Sequence, residues 1–149
     1  MNELSAALKI VLSNTFVLYL KTQIYHWNVE GPMFAQYHSY FKDVYKELRT
    51  AMDVAAEQMR ALDIYAPFSV KDMLDSATIE EDIAHINDVK QMLNSLLNDN
   101  EQVISALNKA FSLAEKENKQ GLLDFLAARL DAHAKHHWMI KAHTVSGEK

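Results

Sequence analysis

The stretch HWNVEGPMFAQYHSYFKDVYKELRTAMDVAAE, residues 26–57, gathers His26, Gly31, Pro32, His38, Asp53 and Glu57 into one segment. Gly31-Pro32 interrupts helix formation, since proline has no N–H to donate and clashes with the preceding turn, so the dipeptide reads as the turn of a helical hairpin. Apolar periodicity on either side predicts one helix over residues 4–29 and a second over 33–63. The second carries Phe34, Tyr37, Phe41, Val44, Tyr45, Leu48, Met52, Ala55, Met59 and Leu62 at steps of three and four, a stripe that faces a core.

Histidine with carboxylate, in a chain without cysteine, suits a divalent ion that takes nitrogen and oxygen ligands, such as iron. A helix turns about 100° per residue, which sets Asp53 about 60° and Glu57 about 100° round from His38, to one side of the apolar stripe. Along the axis Asp53 is roughly 22 Å from His38. Metal ligands approach to about 2 Å, so one chain cannot bring both sets to a single ion. His26 lies before the turn and His38 after it at similar distances, so the hairpin brings the two imidazoles to one height. A two-fold dimer with antiparallel second helices then sets the histidines of each chain against Asp53 and Glu57 of the other, giving two equivalent metal sites.

The chain of 149 residues is long enough for one domain, 1–149, with a core that needs no disulfide. Absence of cysteine fits a reducing cytoplasm. Lys21 interrupts the apolar run around Phe16 to Ile24, so neither a membrane span nor a cleavable leader is expected. The formal charge of -5 disfavours a nucleic-acid backbone as partner, and the terminal segments 1–7 and 144–149 supply no basic tail.

Beyond the hairpin, Pro67 ends helical structure and Ser69 with Asp72 predicts a short helix lying across the bundle. Thr78 with Glu81 reads as a capping box opening a third long helix through Ile79, Ile83, Ile86, Leu93, Leu96, Val103, Leu107 and Phe111. Gly121 is expected to break the chain before a fourth, which carries Leu122, Phe125, Leu126, Leu130, Trp138 and Ile140 and ends near His143. Four long helices with a connector crossing the bundle make an all-α, ferritin-like architecture.

Other candidates are weaker. His133, His136 and His137 place two imidazoles on one helix face at a spacing that can hold zinc or nickel, but no glutamate stands between them, and a helix C-terminus favours histidine without metal. Trp27 and Trp138 read as packing residues. A di-iron site within one chain needs Glu-x-x-His pairs, for which Asp82 with His85 is only an approximate match.

Taken together, Tyr25 to Pro32, Asp53-Val54-Ala55-Ala56-Glu57 and His136-His137-Trp138-Met139 resemble the Dps miniferritins over nearly the whole chain. The resemblance implies a dodecameric cage of four-helix subunits built from two-fold dimers, which oxidises iron(II) with peroxide or dioxygen and stores the product, protecting against oxidative damage. It implies His26 and His38 as ligands from one subunit, Asp53 and Glu57 from its dyad partner, and Asp124 near an iron-entry pore. One position departs: Lys42 stands where the family usually has aspartate, and a protonated ammonium has no lone pair for a metal. Asp43 substitutes only if its side chain reaches round the helix. An attenuated ferroxidase is therefore expected, with a catalytically weakened cage acting as scaffold or passive metal sink as the alternative.

Overall fold

A computed structural model describes residues 2–145. They form α1 (Glu3–Asn28), α2 (Phe34–Ala61), α3 (Val70–Ser76), α4 (Val89–Lys116) and α5 (Gln120–Thr144), with no strand among the described residues. Two hairpins, α1 with α2 and α4 with α5, pack through α1 against α4, while α3 lies across α1. The fold is the expected all-α, ferritin-like four-helix bundle with a short connector helix. Residue 1 and the end of the C-terminal segment read above for charge, 146–149, lie outside the described residues.

α1 is the inner element. Asn2 caps it by accepting from Ser5 N at 2.8 Å, and Leu4, Leu8, Val11, Leu12, Val17, Leu18 and Tyr25 are all buried. Polar residues are buried along it as well, most with a partner: the Thr15 and Thr22 hydroxyls donate to the carbonyls four residues back at 2.7 Å, while the Ser13 hydroxyl is buried without one. Lys21 reaches Asp99 Oδ2 at 2.6 Å, Ser95 Oγ at 3.2 Å and the Glu80 carbonyl at 3.1 Å. The expectation that no long segment is apolar is corrected here. An 18-residue window of α1 reaches mean hydropathy 1.3, but 61% of it is buried inside the bundle, which is where a helix apolar on several faces belongs.

α2 buries Phe41, Val44, Tyr45, Leu48, Ala55 and Met59, as its stripe predicts, whereas Phe34 at its start is 44% exposed. The helix ends without glycine. Asp63 takes φ 61°, its N–H reaches the Arg60 carbonyl at 3.0 Å, and Ile64 N–H reaches that of Met59 at 3.0 Å, satisfying carbonyls that the helix leaves open. α4 closes the same way: Asn118 has φ 54°, its N–H bonds the Glu115 carbonyl and Lys119 N–H bonds that of Ala114, both at 3.1 Å. Asn118, rather than Gly121, thus breaks the chain between the last two helices, and Gly121 sits inside α5.

The other corrected element is the start of the third long helix. Ser69 caps α3 as expected, accepting from Asp72 N at 3.0 Å, and Lys9 fastens α3 to α1 through Asp72 at 2.7 Å. Thr78 caps nothing: its N–H donates to Asn14 Oδ1 at 2.8 Å and its hydroxyl accepts from Asn14 Nδ2 at 2.9 Å. Ile79 N–H shares the same Asn14 oxygen at 3.3 Å. With these amides committed to α1 the chain stays non-helical until Asp88, whose carboxylate accepts from Lys90 N and opens α4 at Val89. Ile83, placed in the core by its spacing, is fully exposed.

Candidate metal centre

Gly31 has φ 124°, a conformation that side chains with a Cβ rarely adopt, and this turns the chain from α1 into α2. The turn sets His26, in the last turn of α1, against His38, in the second turn of α2. The two exchange hydrogen bonds: His26 Nδ1 lies 2.6 Å from the His38 carbonyl, and His38 Nδ1 lies 2.7 Å from the His26 carbonyl. A carbonyl oxygen only accepts, so both Nδ1 atoms carry the proton and both Nε2 atoms keep a free lone pair. The rings stack with centroids 3.8 Å apart and planes 16° from parallel, with the Tyr45 ring edge-on to His26 at 5.3 Å and Phe34 stacked on His38 at 5.0 Å. Metal-binding histidines are oriented in this way, with one nitrogen tied down and the other presented.

Asp53 and Glu57 project from the far half of α2, both exposed. Because α2 is an unbroken helix from Phe34 to Ala61, the separation of roughly 22 Å between His38 and Asp53 stands. Among the described residues no three histidine or carboxylate side chains converge on one point. The chain thus carries an imidazole pair at one end of α2 and a carboxylate pair at the other. Lys42 is exposed between them. Asp43 does not stand in for it, since it lines a separate groove of about 270 Å³ between α2 and α5 with Tyr40, Glu47 and His136.

The second histidine group is structural. His133 is fully buried, with Nδ1 donating to Asn100 Oδ1 at 2.7 Å and Nε2 accepting from Arg129 at 3.1 Å, so neither nitrogen is open to a metal. Burial, reinforced by the Arg129 and His136 charges, lowers its pKa to about 3. Arg129 also clamps Glu47 of α2 through two bonds of 2.5 and 2.9 Å, and His136 adds a third at 2.8 Å. His137 stands apart, 4.0 Å from Glu101. Asp82, considered with His85 for a site inside the chain, instead accepts from the Tyr25 hydroxyl at 2.5 Å and lies 3.7 Å from Lys21. Trp27 and Trp138, expected as packing residues, are 60% and 65% exposed.

Sequence reasoning missed the two buried polar clusters, Lys21 with Asp99 and Glu47 with Arg129 and His133. Their one visible sign was charge on apolar faces: Lys21 within the α1 run, and Arg129 four residues from His133.

Comparison with known proteins shows what the chain is similar to. The model of the ferritin family, described as a ferritin-like domain, matches residues 5–149. General stress protein 20U of Bacillus subtilis is 30% identical over 141 residues, covering 95% of this chain and 97% of that protein. Dps from Thermosynechococcus elongatus superposes with a TM-score of 0.93 at 27% identity, covering 98% of this chain and 92% of its own. Dps from Vibrio cholerae, described as a member of a broad superfamily of ferritin-like diiron-carboxylate proteins, gives 0.92 at 25% identity, covering 96% and 89%.

Proposed function

The chain belongs to the ferritin-like family and is Dps-like, and on that footing we propose that it oxidises iron(II) and stores the product in a hollow homo-oligomer. The observation that carries the proposal is the reciprocal His26 and His38 pairing, which leaves two Nε2 lone pairs presented at a point that no carboxylate of the same chain reaches among the described residues. A dyad-related copy with its α2 antiparallel supplies Asp53 and Glu57 there, so that each site takes imidazoles from one subunit and carboxylates from the other. Imidazole retains iron(II) and hard carboxylate oxygens favour iron(III), so the mixed set assists oxidation of its own substrate.

Each iron(II) gives up one electron, and reducing peroxide to water takes two. Lys42, one turn from His38 on the same side of α2, adds a cation at the imidazole end where the partner's carboxylates would join it, which opposes a second metal ion and slows oxidation relative to Dps proteins carrying aspartate there. A single domain over 1–149, assembly of two-fold dimers into a dodecamer, and Asp124 near the entry route complete the reading. Removal of iron(II) together with its oxidant protects a bacterial cytoplasm from oxidative damage. The charge of -5 per chain multiplies across such a cage and repels a DNA duplex.

The test is complementation. A His26→Ala/His38→Ala subunit and an Asp53→Ala/Glu57→Ala subunit are each expected to lose iron(II) oxidation. Mixed assemblies are expected to regain it, because every heterologous dimer rebuilds one intact site. Mixed assemblies, verified by native mass spectrometry, that stay inactive would exclude the shared centre.

A further inference from the structure

Across α2 from the imidazole pair, the seam between α2 and α5 opens as the groove of about 270 Å³. With His38 as zero, Tyr40, Asp43 and Glu47 lie about 140–200° round the helix, whereas Lys42, Asp53 and Glu57 lie within about 40–100°. The groove therefore faces away from the side given to the dyad partner. Val44, Ala132 and Met139 form its apolar walls, and its polar groups come from both helices.

Three of those groups hold a donor atom in reserve. Tyr40 is fixed by its ring, which stacks on His143 with centroids 4.3 Å apart, yet its hydroxyl is buried without a hydrogen-bond partner among the described residues. Native interiors seldom leave such a group unpaired. His136 is oriented from behind: a carboxylate only accepts, so Nε2 donates to Glu47 Oε1 at 2.8 Å, and in the neutral ring Nδ1 keeps its lone pair. Glu47 is itself held by the Arg129 guanidinium, which gives this imidazole the carboxylate backing typical of metal-binding histidines. Asp43 is exposed at the mouth, one turn along α2 from Tyr40. No further histidine or carboxylate converges with Asp43 and His136 among the described residues, and the phenol is the donor that completes the set.

Phenolate and carboxylate are hard, anionic oxygen donors, and with one imidazole they favour iron(III) over iron(II). Lys135, on the rim, is exposed, so its ammonium can turn to water. We infer that Tyr40 Oη, Asp43 and His136 Nδ1 form a second iron site, lying within one chain and taking iron(III). Binding breaks the phenol O–H bond and forms an iron–oxygen bond, the proton leaves to water, and the oxidation state does not change. That the ferric ion is the product of the shared centre rests on the reading above.

Iron(III) nitrilotriacetate is the probe, added to the iron-free protein so that no oxidation step is needed. One iron per chain is expected, with a broad visible band from phenolate-to-iron charge transfer. Tyr40→Phe, which keeps the ring that stacks on His143, is expected to lose the band. Asp43→Asn, a change at an exposed position that leaves the fold intact, is expected to weaken uptake by about 10-fold. His26→Ala/His38→Ala is expected to keep the band. A colourless wild type, a band that survives Tyr40→Phe, or uptake indifferent to Asp43→Asn overturns the ferric site. The two readings fail separately: a protein that shows the band but does not oxidise iron(II) loses only the shared centre, and one that oxidises iron(II) but stays colourless with the ferric probe loses only this site.

Discussion

His133 and Asn100 hold each other twice inside the bundle: the ring donates from Nδ1 to Oδ1 of Asn100 at 2.7 Å, and Nδ2 of Asn100 donates to the His133 carbonyl at 3.0 Å. This joins α5 to α4 and fixes the tautomer whose Nε2 accepts from Arg129. The neutral ring is therefore part of the packing, and the proton is its antagonist.

Acid stability should follow from that pair. Burial first, then the Arg129 and His136 charges, lowers the His133 pKa from 6.5 to about 3. The unfolded chain binds this proton more readily than the folded one, so the stabilisation is complete above about 6.5 and is lost as pH falls toward 3. Glu47 adds a later loss. Burial alone would raise its pKa, but hydrogen bonds from His136 and Arg129 outweigh burial and hold it at about 2, so its contribution is present above 4.5 and disappears between there and about 2. Thermal midpoints are expected to decline from pH 7 to 5 in the wild type, and less steeply in His133→Gln. Equal slopes would remove His133 as the cause.

Lys42→Asp is expected to speed iron(II) oxidation by about 10-fold, as an added anion both ligates and offsets charge. Stopped-flow absorbance of the ferric product, with anaerobic titration of cobalt(II) for stoichiometry, checks this. A wild-type rate already equal to that of the variant would show the lysine to be harmless.

Asn14→Ala is expected to cost about 2–3 kcal/mol, because it strands the Thr78 and Ile79 N–H groups that Asn14 Oδ1 accepts. Denaturant melts measure the cost. Hydrogen exchange should quicken first at those two amides, and a variant that melts normally with both amides protected would contradict the clamp.

The helices were legible because each advertises itself locally. Gly31-Pro32 marks a turn, the α2 stripe repeats over the full helix, and Ser69 with Asp72 is a cap in the sequence and in the structure. The connector misled because Thr78 and Glu81 have the spacing of a capping box, and Ile79, Ile83 and Ile86 that of a helix face. Local preference lost there to Asn14, a partner 64 residues away that no window around Thr78 contains. The end of α4 misled for a related reason, since Asn118 adopts the left-handed turn that a reader looks for in glycine. The imidazole and carboxylate pairs were legible as separate halves, and the split between them followed from the length of helix separating them. The buried polar clusters were not legible, since Lys21 and Arg129 are held by residues distant in the chain.

The inner position of α1 also constrains how the polypeptide is born. Synthesis, at about 5–20 residues per second, delivers this helix before the other four, and its covering partner α4 begins only at Val89. For several seconds the ribosome therefore displays a long, largely apolar helix sheltered only by α2 and the short α3. Nascent chains halted before α4 are the form of this protein most in need of a chaperone.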